Sequence, residues 1–91
     1  MSSCVLLLAV SQLFAQTRAV TGKVTAKDDG LPLPGVTVKV KGTTNTGTQT
    51  DVNGKYTLNV PEGATLSFSF IGYTTLEQPV NGNVVNVVLL P

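Results

Sequence analysis

The sequence predicts an all-β fold, an antiparallel β-sandwich of about seven short strands. Apolar residues recur with a period of two in one run after another, turn-forming residues interrupt the chain about every 8 to 12 positions, and no stretch shows a helical period. A strand with one buried face produces that alternation, because successive side chains point to opposite sides of the pleat.

The chain opens differently. Residues 5–15 are an apolar stretch of roughly 11 residues, the size of a secretory h-region and well short of the ~20 a membrane span needs. Residues 1–15 are therefore read as a signal peptide cleaved after Ala15, and residues 16–91 as the exported domain. No Lys or Arg precedes the apolar run where a signal's positive segment belongs, so the true start is expected upstream. Cys4 lies before the run rather than directly after it, which argues against lipid attachment. A buried helix is the alternative for this segment, and the complete β pattern downstream argues against it.

Val20-Thr-Gly-Lys-Val24 alternates, with Val20 and Val24 on one face, and Asp28-Asp29-Gly30 supplies turn chemistry. In Leu31-Pro-Leu-Pro-Gly35 two prolines remove backbone donors, so this stretch is an extended crossing or loop with Leu33 tucked under the sheet. Val36-Thr-Val-Lys-Val40 is the strongest strand signal, its valines inward and Thr37 and Lys39 outward.

Residues 47–60 are expected to form a β-hairpin about Asn53-Gly54, a pair that takes positive φ angles at little steric cost. On its downstream arm Tyr56, Leu58 and Val60 point to the core. Its upstream arm is almost wholly hydroxyl and amide and reads as an edge strand. Pro61-Glu-Gly63 makes the next turn, and Leu66, Phe68 and Phe70 then supply the centre of the core. Ile71-Gly72-Tyr73 breaks the alternation and is expected to be a bulge or corner where the chain changes sheet. A short strand over 74–79 and a turn at Asn81-Gly82-Asn83 lead to residues 84–90. That last run is nearly continuously apolar and is expected to be a central strand.

Composition removes several function classes. The net charge is +1, with 12% charged residues and the basic ones spread singly, so no nucleic-acid surface is formed. Without cysteine or histidine after the leader there is no disulfide framework and no thiolate or imidazole for a metal. Hydroxyls with no histidine beside them make no activated nucleophile, and no catalytic residue is assigned. Asp51-x-Asn53-Gly54 looks like the opening of a calcium loop, but Glu62 falls outside the spacing that would complete it. A domain of roughly 75 residues buries only about 60 to 65% of the surface its unfolded chain exposes, so it folds with little margin.

Six motifs in order carry a resemblance: Val20-x-Gly-x-Val24, Leu33-Pro-Gly-Val-x-Val38, Gly42-Thr-Thr, Gly47-Thr-x-Thr-Asp-x-Asn-Gly-x-Tyr56, Val60-Pro-x-Gly63-Ala-x-Leu66 and Phe68-Ser-Phe-Ile-Gly-Tyr73. The chain resembles the carboxypeptidase-regulatory-like domain, in the version found at the N-terminus of SusC/RagA-type TonB-dependent outer-membrane receptors. The resemblance implies a transthyretin-like (prealbumin-like) sandwich on the periplasmic side of the outer membrane. It implies attachment to a receptor whose barrel imports glycans, peptides or other large nutrients, and a domain with no catalysis of its own. After Leu90-Pro91 no plug, barrel or energy-coupling box follows, which implies a fragment of a receptor gene or a stand-alone copy.

The function expected is a non-catalytic accessory or interaction domain whose partner is the receptor plug or barrel or another periplasmic protein. The alternative is a free periplasmic or secreted sandwich that binds carbohydrate or serves adhesion. Neither cofactor nor metal is called for. Ile71, Gly72 and Tyr73 are the candidate contact surface, together with strand edges open to β-augmentation. Tyr73 could equally cap the core with its ring and keep its hydroxyl at the surface. Asn53, Gly54, Gly63 and Gly82 are assigned to structural turns.

Overall fold

The computed structural model describes residues 17–43 and 46–91, and the expected leader over 1–15 and its cleavage site lie outside them. Among the described residues seven strands form: β1 (Thr17–Ala26), β2 (Thr37–Val40), β3 (Gly47–Gln49), β4 (Lys55–Pro61), β5 (Thr65–Ser69), β6 (Leu76–Pro79) and β7 (Val87–Leu89). They make a three-stranded sheet in the order β4-β1-β7 and a four-stranded sheet in the order β3-β2-β5-β6. Every strand pairing is antiparallel except that of β1 with β7, which is parallel.

Alternation places the core between the sheets. Val20 and Val24 of β1, Tyr56, Leu58 and Val60 of β4, and Val87 and Leu89 of β7 face Val38 and Val40 of β2 and Leu66 and Phe68 of β5. The Tyr56 and Phe68 rings meet edge to face across the interior, centroids 5.5 Å apart. Phe70, expected at the core centre, is only partly buried, because β5 ends at Ser69 and the chain turns outward there.

The expected hairpin over 47–60 does not form. Its turn does: Gly54 N–H donates to the Asp51 carbonyl at 2.9 Å and Asp51 N–H to the Lys55 carbonyl at 2.8 Å. The two arms then part, β3 pairing with β2 and β4 pairing with β1 in the other sheet. Thr50, the one buried polar residue among those described, holds the upstream arm away. Its hydroxyl donates to the Leu33 carbonyl at 2.6 Å and accepts from Val36 N–H at 2.9 Å. The downstream arm follows its apolar face, which β1 completes along the register from Thr17 with Pro61 to Lys23 with Lys55. Beyond Lys23 that side of β1 is taken over by the proline segment: Leu33 N–H donates to the Val24 carbonyl and Ala26 N–H to the Leu31 carbonyl, both at 3.0 Å.

Two more expectations are corrected. The 71–73 corner does not carry the chain between sheets; it joins β5 to β6, neighbours in one sheet. The last strand is not central, since β7 is the edge of the three-stranded sheet. Its near-continuous apolar run is one-sided: Val85, Val87 and Leu89 are buried, while Val84, Asn86, Val88 and Leu90 are exposed.

Candidate functional site

The expected contact surface is a tight turn. Tyr73 N–H donates to the Phe70 carbonyl at 3.1 Å, and Gly72 lies at φ 85°, a left-handed conformation that a side chain would strain. Ile71, at the apex, is 90% exposed. Tyr73 turns back instead, partly buried against the rim of the core with its ring 5.9 Å from that of Phe70. Its hydroxyl pKa is raised, first by desolvation and then by the negative charges of Asp28 and Asp29. The corner thus joins the reading of Tyr73 as a cap to an exposed aliphatic tip. A shallow depression of about 410 Å³ beside it is lined by Gly35, Thr37, Ser69, Phe70 and Ile71. Thr74 N–H donates to the Leu90 carbonyl at 2.7 Å, tying the corner to the end of the chain's last strand.

The assigned turn residues sit elsewhere. Gly54 adopts φ 76° and Asn53 keeps a negative φ, so this is not the primed turn that Asn-Gly suggests. Asp51 organises it: one carboxylate oxygen accepts from Asn53 N–H at 2.8 Å and from Lys55 N–H at 2.9 Å. Those bonds hold the Asp51 pKa below its ordinary value. The carboxylate that suggested a calcium loop is thus engaged by the chain's own backbone. Gly63, also at positive φ, lies in the turn closed by Ala64 N–H to the Pro61 carbonyl at 3.3 Å, and Gly82 lies in the bend before β7 without a positive φ.

A third constellation joins β1, β4 and the approach to β7. The Tyr56 hydroxyl donates to the Val85 carbonyl at 2.6 Å, and burial pushes its pKa up to about 12. That carbonyl occupies the space over Gly22: a Cβ added to Gly22 would stand 1.8 Å from the Val85 oxygen. With Thr21 N–H donating to Asn83 and Val85 N–H to Thr21, a parallel ladder would next send Lys23 N–H to Val85. Val85 has turned inward to Tyr56, and the Asn86 side chain accepts from Lys23 N–H at 2.9 Å in its place. Gly22 and Tyr56, 34 positions apart, are therefore parts of one lock.

The CarboxypepD_reg-like domain family matches residues 20–90. The chain belongs to that family. It is 42% identical over 86 residues to TonB-dependent receptor P3 of Formosa agariphila, covering 92% of this chain and 8% of the relative. It is 39% identical over 90 residues to TonB-dependent receptor SusC of Bacteroides thetaiotaomicron, covering 93% of this chain and 9% of the relative. TonB-dependent receptor P39 of Formosa agariphila is 46% identical over 77 residues, covering 84% and 7%. The chain thus spans less than a tenth of the length of the curated relatives it matches.

In this member of the CarboxypepD_reg-like family, the Gly22 and Tyr56 lock and the open edge of β7 were not foreseen as features of one surface. The lock has no local signal, because its halves meet only through pairing. The edge has one: Asn86 marks the outward parity of residues 84–90, and period two then puts Val84, Val88 and Leu90 outside with it.

Proposed function

We propose that this chain works by contact, as a non-catalytic accessory domain of a TonB-dependent outer-membrane nutrient receptor, exported and held on the periplasmic side of the outer membrane. The observation that carries the reading is the 39 to 46% identity to TonB-dependent receptors over most of this chain. The site supports it in kind. The corner offers an aliphatic tip on a turn held by backbone bonds, a surface suited to another protein such as the receptor's plug or barrel or a periplasmic partner.

The test uses a full-length receptor that carries this domain. Deleting residues 20–90, or changing Ile71 to Asp at the exposed tip, is expected to reduce growth on the imported nutrient while receptor abundance in the outer membrane stays normal. Undiminished growth after the complete deletion would overturn the proposal.

A further inference from the structure

The chain contains two Asn-Gly pairs, Asn53-Gly54 and Asn81-Gly82. In such a pair the backbone nitrogen of the glycine can attack the side-chain carbonyl of the asparagine, because no side chain on the glycine shields that nitrogen. The attack requires the nitrogen to give up its proton and the peptide plane between the two residues to rotate toward the asparagine side chain. A folded chain permits this only where that plane is free.

At Asn53-Gly54 the plane is fixed. Gly54 N–H donates to the Asp51 carbonyl at 2.9 Å, and the Gly54 carbonyl accepts from Val24 N–H at 2.8 Å. Asn53 N–H is held by the Asp51 carboxylate at 2.8 Å, and that charge also opposes a negative charge on the adjoining glycine nitrogen. Gly54 itself is buried.

Asn81-Gly82 lies where the chain crosses from β6 in one sheet toward β7 in the other. The crossing is anchored on both sides: Val80 N–H donates to the Ala64 carbonyl, and the Asn83 carbonyl accepts from Thr21 N–H, both at 2.9 Å. Between these anchors neither Asn81 nor Gly82 has a backbone hydrogen-bond partner among the described residues. Asn81 is exposed, and a Cβ added to Gly82 would meet no described atom within 4 Å.

We propose that Asn81 is a self-modification site, converted to aspartate and isoaspartate in the folded protein while Asn53 is protected. The Gly82 nitrogen loses its proton to hydroxide and bonds to the Asn81 Cγ. The bond from Cγ to the side-chain nitrogen breaks, and that nitrogen takes a proton from water and leaves as ammonia. Water then opens the resulting cyclic imide: attack at Cγ gives aspartate, and attack at the main-chain carbonyl gives isoaspartate, with the backbone routed through Cβ and Cγ. Either product adds a negative charge to a chain of net charge +1. Isoaspartate also lengthens, by a single carbon, the crossing held at Val80 and Asn83.

The test incubates the full chain in mildly alkaline buffer, folded and, in parallel, unfolded in guanidinium chloride, and follows both asparagines by peptide mass spectrometry with fragmentation to assign the position. In the folded sample Asn81 is expected to gain a single dalton at nearly its unfolded rate, faster as pH rises, and Asn53 to convert several-fold more slowly than when unfolded. Gly82→Ala, at a position with open space and no positive φ, should keep a cooperative urea transition and slow conversion at Asn81 several-fold without changing Asn53. Asn53 converting as fast as Asn81 in the folded chain, Asn81 intact there while the unfolded chain converts, or conversion at Asn81 indifferent to Gly82→Ala overturns the proposal.

Discussion

Two turns of this domain exchange the roles their sequences suggest. Asn53-Gly54 has the look of a hairpin and carries the chain from one sheet to the other; Ile71-Gly72-Tyr73 has the look of a sheet-changing corner and closes a hairpin between β5 and β6. Both hold a glycine at positive φ, and both are followed closely by a tyrosine. The difference lies in the surroundings. Gly54 is enclosed by the Val24 carbonyl and the proline segment, whereas no described residue crowds Gly72. Tyr56 drives its hydroxyl into the sandwich, and Tyr73 keeps its hydroxyl at the surface near Asp28 and Asp29. Local chemistry sets where a chain turns, and distant partners decide where it goes next.

Phe68 joins the two regions, lying on the strand that leads to the corner and touching Tyr56 from the crossing side. Its truncation to Ala is expected to give the largest loss, ~3 to 5 kcal/mol in urea melts, with Ser67→Ala nearly neutral. Equal effects would reverse the assignment of the inward face. The glycines sharpen the comparison directly. Gly72→Ala should cost only the left-handed backbone penalty, roughly 1 to 2 kcal/mol. Gly54→Ala should cost measurably more, because its Cβ would also stand 2.7 Å from the Val24 oxygen. Equal costs would show that crowding at the crossing is irrelevant.

Tyr56→Phe leaves the Val85 carbonyl without its donor and should cost about 1 to 3 kcal/mol. It should also change the alkaline limb of stability. With the folded pKa near 12, the unfolded chain releases this proton first, so stability present below about pH 10 is lost as pH rises toward 12. The variant should lack that loss. The smallest effect belongs to Asp51. Its folded pKa is lowered, so its contribution is present above its unfolded pKa and disappears as pH falls through the folded value. Asp51→Asn is expected to flatten the pH profile in thermal melts by lowering stability slightly at neutral pH and leaving the acid end, where the contribution is already lost, little changed.

The faces of the strands were legible in the sequence because alternation is a local property. Val36, Val38 and Val40, Tyr56, Leu58 and Val60, and Leu66 and Phe68 all point where period two places them. The pairing was not legible, because it rests on bonds between distant positions: Tyr56 to Val85 spans 29 residues and Thr50 to Val36 spans 14. Phe70 and β7 were misplaced for a related reason. An apolar residue at the right parity is buried only if the opposing sheet extends over it, and no residue near it in sequence reports that. At the corner over 71–73 the sequence identified the turn and the aromatic residue, and the structure showed that Ile71 rather than Tyr73 is the part presented outward.

The parallel pairing of β1 with β7 has a mechanical consequence. Tension drawing the start of β1 and the end of β7 in opposite directions acts along the strands, so their hydrogen bonds resist sliding together rather than opening one after another. Pulling between positions 17 and 89 in a single-molecule force experiment should therefore give a higher rupture force than peeling β4 away from β1 by its end at Pro61. The Gly22 and Tyr56 lock lies on that line of load and is expected to add to the resistance.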